Sequence, residues 1–248
     1  MSNQRLLAII PARGGSKGLP RKNIRPLLGR PLIEYSVAFA KVCAEIDRCV
    51  VSTDDEEIAS VARNCGGDVP FLRPAELAKD TTPMLPVLQH GLREIERLEG
   101  RSYDFVLLLQ PTSPVRLPED LKHGLAILRS DGNASAVVSV SEPTFNPRYV
   151  CVEKKDGYLR KLFPTAHQRR QDVPPTFRIN ALLYLFRRDY ILSTSTLFGD
   201  GERYLALEVP EERAADIDTL RDLERTELLL REGWLQLPWL RSKTGTTV

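Results

Sequence analysis

The chain has 248 residues and a formal net charge of +2, from 35 Lys and Arg against 33 Asp and Glu. That balance argues against nucleic-acid binding by bulk charge and leaves room for a local basic site. The 42% apolar fraction supports a real core, in one large domain or one domain with an appendage. No apolar run approaches the roughly 20 residues of a membrane span. Residues 1–10 lack the length and cleavage pattern of a signal peptide.

In chain order, "RLLAII" (5–10) reads as a buried strand, and "PLIEYSVAFAKVCAEI" (31–46) as a helix opened by proline. "RCVVST" (48–53) is the next strand and "EEIASVARNCGG" (56–67) a helix closed by glycine. A helix over 83–98 precedes "YDFVLLLQ" (103–110), apolar enough for a strand covered on both faces. A helix over 118–132 and a strand over 134–141 continue the alternation. The rhythm predicts an α/β fold with a mostly parallel, Rossmann-like sheet and helices on both faces.

The rhythm breaks between 143 and 188. "RYVCVEKKDGYLRKLF" reads as a hairpin turning at Lys155, Asp156 and Gly157, followed by a polar, proline-rich stretch. "RINALLYLFRR" (178–188) resumes a strand, and a long helix is expected over about 213–231. The expected organisation is a single domain over 1–235, with 143–180 inserted as an antiparallel arm for dimerisation, and a flexible tail over 236–248. Cys43, Cys49, Cys65 and Cys151 show no C-x-x-C spacing, so reduced thiols and a cytoplasmic protein are expected. His90, His123 and His167 are scattered and suggest solvated or core-edge roles.

One loop stands out. "AIIPARGGSKGLPRKNI" (8–24) ends a strand and carries Arg13, Lys17, Arg21 and Lys22 among Gly14, Gly15 and Gly18. Neither G-x-G-x-x-G nor G-x-x-x-x-G-K-[ST] fits it. A glycine-rich turn at the carboxyl edge of a parallel sheet is nevertheless where phosphates bind, because free backbone N–H groups point outward there. A polyanion such as a nucleoside triphosphate fits, with Arg13 and Lys17 neutralising charge during phosphoryl attack; the bland reading is a solvated basic loop. Asp54, Asp55, Glu56 and Glu57 read first as helix-capping carboxylates and second as metal ligands. Gln110 reads as a strand cap or a site residue, and Arg169 and Arg170 as solvated cations. Asp216 and Asp218 share one side of an extended segment, fit for a divalent ion, although Asp218 could equally cap the helix beginning near Leu220.

"IPARGGSKGLPRKNI" resembles the signature loop of the CMP-sialic acid synthetase family, cytidylyltransferases that activate nonulosonic acids. "VVSTDDEEIA" (50–59), "FLRPAELAKDTTP" (71–83), "LLLQPTSPVR" (107–116), "RRQDVPPTFRINALLY" (169–184) and "DIDT" (216–219) follow in the family's order over about residues 5–230. The resemblance implies transfer of CMP from CTP to a 2-keto-3-deoxy-nonulosonic acid of the N-acetylneuraminic, legionaminic or pseudaminic type, with release of pyrophosphate. It implies that Arg13, Ser16, Lys17 and Lys22 hold the triphosphate, that Gly14 and Gly15 let the backbone wrap it, and that Asn23 lies near the nucleoside. Arg73, Asp80 and Thr82 would help read cytosine and ribose. Gln110, Asn180 and Tyr184 would face the sugar, and Arg170 would meet its carboxylate across a homodimer interface with shared sites. Asp216 and Asp218 would hold Mg²⁺ or Mn²⁺, with Arg13, Lys17, Lys22 and Asp218 the catalytic set. Ala181 stands where glycine is common in the family, which leaves the sugar open. The alternatives are activation of an octulosonic acid of the Kdo type, or an idle nucleotide-binding regulatory domain.

Overall fold

The computed structural model describes residues 4–163, 169–199 and 201–240. The strands are β1 (Leu6–Pro11), β2 (Pro26–Leu27), β3 (Arg30–Pro31), β4 (Arg48–Ser52), β5 (Phe105–Leu108), β6 (Ala136–Ser141), β7 (Val152–Lys155), β8 (Tyr158–Lys161), β9 (Arg178–Arg187) and β10 (Tyr204–Glu208). The helices are α1 (Leu32–Val42), α2 (Glu56–Asn64), α3 (Met84–Glu99), α4 (Pro118–Ser130), the single turn α5 (Pro147–Val150), α6 (Arg188–Ser193) and α7 (Leu220–Arg231).

Six strands form one sheet in the order β10-β6-β9-β5-β1-β4. β4, β1 and β5 pair in parallel, as do β6 and β10, and β9 runs antiparallel between β5 and β6. The reversal of β9 has a simple cause. A parallel neighbour needs a crossover helix, and the chain reaches β9 from the arm rather than from a helix laid across the sheet. Every residue of β1 is buried, and its alternation feeds both faces. Leu6, Ala8 and Ile10 meet α1, α2 and α4, while Leu7 and Ile9 meet α3. A third apolar cluster lies beneath the loop after β1. It joins Leu19, Leu27, Tyr35, Ile217 and Leu223 to Leu235, Leu237 and Leu240.

Two sequence expectations are corrected here. The helix expected over 213–231 begins only at Leu220, because residue 217 is pulled into the sheet's loops: the Ile217 amide donates to the Thr112 carbonyl at 2.8 Å. The tail expected to be flexible from 236 is packed through 240. Leu237 is fully buried, and the Trp239 indole donates to the Arg116 carbonyl at 2.7 Å. Residues 241–248 lie outside the described residues. Finally, β10, α6 and the small β2–β3 ladder have no counterpart in the sequence reading. They are short or half-exposed, so their apolar periodicity is weak.

The β7–β8 hairpin stands apart from the main sheet, with all eight of its strand residues exposed. Asp156 (φ 52°) and Gly157 (φ 85°) make its turn, both left-handed as a tight hairpin turn requires.

Candidate active site

The chain leaves β1, passes α1 and returns as β4 on one side; it then passes α2 and α3 and returns as β5 on the other. The carboxyl ends of β1 and β5 therefore diverge at a topological switch point, where open α/β sheets bind ligands. A cleft of about 360 Å³ opens there. Pro11 and Gln110 mark the two strand ends. Arg13, Ser16, Lys17, Lys22 and Asn23 come from the loop after β1, Arg73 and Met84 from the third side, and Thr112 and Asp218 from the fourth.

The glycine-rich loop is fastened at several points. The Gly14 amide donates to Asp54 Oδ1 at 3.1 Å. Arg21, in a left-handed conformation (φ 58°), donates to both oxygens of Asp55, at 2.6 and 3.2 Å, and also pairs with Glu57. Leu19 is buried in the third cluster, and Asn23 Nδ2 donates to the Arg13 carbonyl at 3.0 Å. Asp55 also caps α2, accepting from the Ile58 amide at 2.9 Å. Asp55 thus caps a helix, as first read, and together with Asp54 and Glu57 it also holds the glycine-rich loop. The Arg21 guanidinium and the Ile58 amide hold the Asp55 carboxyl below its ordinary pKa, against a smaller opposing push from burial. The loop also touches the facing segment: a Cβ on Gly18 would lie 2.7 Å from the Asp218 carbonyl oxygen.

Asp218 does not cap α7. Thr219 and Asp222 form that cap reciprocally: Thr219 Oγ1 accepts from the Asp222 amide at 3.3 Å, and Asp222 Oδ2 accepts from the Thr219 amide at 2.8 Å. The Asp218 carboxylate instead faces the cleft and pairs with Lys22 Nζ at 2.6 Å. Asp216 lies on the same side, hydrogen-bonded to the Thr112 side chain, with Ile217 turned into the core. Asp216 keeps exposed surface, yet protein crowds its carboxylate. That desolvation pushes its pKa up, Asp218 adds to the rise, and Thr112 and Lys22 oppose it. Two carboxylates on one side of an extended segment, with Lys22 and Thr112 beside them, form a donor set that fits a hard divalent cation. Among the described residues no cluster of three or more His, Cys, Asp or Glu gathers for a metal, so phosphate oxygens and water would complete the shell.

Arg73 is buried. Its Nε donates to Ser52 Oγ at 3.1 Å, and it also bonds the Ser52 carbonyl. Burial lowers its pKa to about 10, with Asp54 opposing and Arg13 assisting, so it remains a cation at neutral pH. Asp80 lies off the cleft wall, on Arg13 (2.9 Å) and Lys17 (2.7 Å). Thr82 donates to the Glu76 carbonyl at 3.0 Å. Neither Asp80 nor Thr82 is among the residues lining the cleft, although Asp80 pairs with two that are. Asn180 is likewise sealed inside the sheet. Its Oδ1 accepts from Ser139 Oγ (2.6 Å) and the Leu182 amide (3.2 Å), where the β6–β9 register shifts. Tyr184 packs edge-on against Phe198 in the second core cluster. Among the expected sugar contacts whose side chains are described, Gln110 is the one that lines the cleft. Ala181 is buried among apolar side chains and is not among the described residues with positive φ, so its methyl fits the strand without strain. Arg170 begins the short turn Arg170–Asp172, and its side chain lies outside the described residues; Arg169 pairs with Asp172.

Sequence reasoning passed over Arg116. It is fully buried, donating to the carbonyls of Leu182 and Gln110 and, at 3.1 Å, to Ser36 Oγ. It ties the cleft end of β5 to β9 and α1. A lone arginine in the apolar run "TSPVRL" was the available signal, because a buried charge must find partners.

A cationic cleft at the switch point, faced by a carboxylate pair, defines a nucleotide-binding enzyme site of the phosphoryl-transfer type. Comparison with known proteins gives the family. Residues 7–233 match the cytidylyltransferase family, and the chain belongs to it; it is a nucleotidyltransferase. It is 36% identical over 229 residues to the CMP-N,N'-diacetyllegionaminic acid synthase of Legionella pneumophila, covering 91% of this chain and 96% of that one. It is 32% identical over 228 residues to a pseudaminic acid cytidylyltransferase of Campylobacter jejuni, covering 91% and 96%. Its fold matches a CMP:2-keto-3-deoxy-manno-octonic acid synthetase complexed with CTP, with a TM-score of 0.69 at 19% identity, covering 93% of this chain and all of that one.

Proposed function

We propose that this cytidylyltransferase joins CTP to a nonulosonic acid, giving the CMP-sugar and pyrophosphate. The anomeric hydroxyl of the sugar attacks the α-phosphorus in line. The new O–P bond forms as the bond to pyrophosphate breaks, and the hydroxyl proton is lost to solvent or base. The observation that carries the reading is the cleft itself: Arg13, Lys17 and Lys22 on one lip and Asp218 on the other, with Asp216 beside Thr112 behind it. Two anionic reactants can approach only where positive charge offsets their own. Arg13, Ser16 and Lys17 bind the triphosphate, and Lys22 is shared between it and Asp218. Arg73 and Asn23 bound the nucleoside end, and Gln110 orients the sugar. Asp216 and Asp218 hold Mg²⁺ or Mn²⁺, which would neutralise phosphate charge and favour ionisation of the hydroxyl when bound. Arg116 keeps Gln110 in place.

A legionaminic-type acid is the first candidate sugar, from the 36% identity to an enzyme named for it. An octulosonic acid is less well supported, because that likeness lies at 19% identity and speaks for the fold. The complete set of cleft cations and carboxylates argues against an idle regulatory domain. A homodimer accounts for the exposed β7–β8 hairpin. No described helix is long and apolar enough to cross a membrane, and a consumer of CTP belongs in the cytoplasm.

The test is pyrophosphate release with CTP and each other nucleoside triphosphate, against legionaminic, pseudaminic, N-acetylneuraminic and octulosonic acids, with and without a chelator. Release with CTP and a nonulosonic acid only, abolished by chelation, is the expected result. No release with any pair would overturn the reading.

A further inference from the structure

Two cations of the glycine-rich loop that line the cleft are not free. Arg13 Nη1 meets Asp80 Oδ1 at 2.9 Å and Lys17 Nζ meets Asp80 Oδ2 at 2.7 Å, so one carboxylate bridges both. Asp80 comes from outside the loop. It sits on the strap of residues 74–83 that links two cleft-wall residues, Arg73 and Met84. The strap holds itself together by short-range contacts around Asp80: the Thr82 amide bonds the Lys79 carbonyl at 3.0 Å, and the Leu77 amide bonds the Pro74 carbonyl at 2.9 Å. Among the described residues, the Asp80 bridge is the ion pair that ties the strap to another element. The Lys17 side chain is 82% exposed, so the bridge is fully available to displacement from solvent.

We propose that Asp80 is an anionic placeholder that occupies Arg13 and Lys17 in the ligand-free enzyme and is displaced when the triphosphate, or its pyrophosphate part, takes those cations. This rests on the reading of the cleft as a triphosphate site. Both partners of Asp80 are the cations assigned to phosphate, and a carboxylate presents the same two-oxygen face that they offer to a phosphate. Carboxylate and phosphate cannot share them, because like charges at that distance repel. The bridge therefore holds the loop in shape while the site is empty, and it weakens anion binding. Once released, Asp80 faces a polyanion, and the strap moves away from the loop. Asp80 acts through Arg13 and Lys17 and is a positioning residue rather than a catalytic one.

Inorganic pyrophosphate and CTP are the probes, measured by calorimetry on the full chain and on Asp80→Asn and Asp80→Glu. Asp80→Asn keeps the shape and loses the charge, so both ligands should bind roughly three- to tenfold more tightly, the scale of two exposed ion pairs released. Asp80→Glu keeps the charge and should stay near the parent. Amide exchange should quicken over 78–83 and slow over 13–19 when pyrophosphate is added to the parent, and the strap response should vanish in Asp80→Asn. A residue with only a structural role would lower the melting temperature without tightening either ligand. A residue that reads the nucleoside would weaken CTP in Asp80→Asn and leave pyrophosphate unchanged. Either outcome overturns the placeholder. A parent chain that binds neither ligand and turns over no CTP overturns the reading of the cleft itself, and the placeholder with it.

Discussion

At the scale of single residues, Asp218 is freed for chemistry by its neighbours. Thr219 and Asp222 complete the α7 cap between themselves, so helix stability asks nothing of the Asp218 side chain. Asp218→Asn should therefore leave the melting temperature within about a degree while lowering kcat roughly a hundredfold or more, the typical loss when a transition-state electrostatic partner is removed. Near-normal turnover at saturating Mg²⁺ would remove Asp218 from the proposed metal site. The glycines of the loop differ in the same local way. A Cβ at Gly15 meets nothing within 4 Å, whereas one at Gly18 meets the backbone oxygen of Asp218 at 2.7 Å. Backbone cannot swing aside as a side-chain end can. Gly15→Ala should thus stay within a fewfold of parental kcat/KM, and Gly18→Ala should lose roughly tenfold or more by pushing Asp218 away from Lys22. Equal effects in steady-state kinetics would show that the 2.7 Å approach is not what sets the loop's position.

At the scale of elements, the cleft end of the sheet is stitched by one buried cation. Arg116 satisfies carbonyls on β9 and just beyond β5 and a hydroxyl on α1, and its own carbonyl receives the Trp239 indole. Burial pushes its pKa down to about 9, so the charge is held at a cost that its partners offset. Arg116→Met preserves bulk and strands three acceptors, each worth about 1–3 kcal/mol when buried and unpaired. Relief of the buried charge returns part of that. A net loss of about 3 kcal/mol is expected, which lowers the melting temperature by roughly 6–12 °C in a domain of this size. Gln110 should loosen with it and raise KM for the sugar. Calorimetry and kinetics on the same sample check both.

At the scale of the whole molecule, the hairpin is the part that the fold of one chain leaves unexplained. Tyr158 is 74% and Leu159 72% exposed, and Val152 and Leu162 are half exposed nearby. Apolar side chains grouped on a projecting hairpin cost solubility unless something covers them. A second copy of the chain is the proposed cover. Tyr158→Glu with Leu159→Glu should give a monomer by light scattering, with the far-ultraviolet spectrum unchanged because neither residue packs on the sheet. A parent chain that is already monomeric would refute the dimer.

The sequence by itself determined the alternation of strands and helices, the hairpin turn and the glycine-rich cationic loop. These are local signals: apolar runs of strand length, caps, an Asp-Gly turn, and four cations among glycines that no apolar core could absorb. It also placed Asp216 and Asp218 on one side of an extended segment, because alternation needs only the backbone. What it could not decide was which polar residues face the cleft. Asn180 reads as a site residue in its motif, yet the β6–β9 register places Ser139 against it and seals it inside the sheet. Asp80 and Arg13 are far apart in sequence and meet because the segment after α2 returns beside the end of β4, where Leu72 pairs with Thr53. The reversed course of β9, the packing of residues 236–240 and the burial of Arg116 depend on neighbours distant in the chain. Such contacts are chosen by the closing of the core as a whole, and no window of sequence contains them.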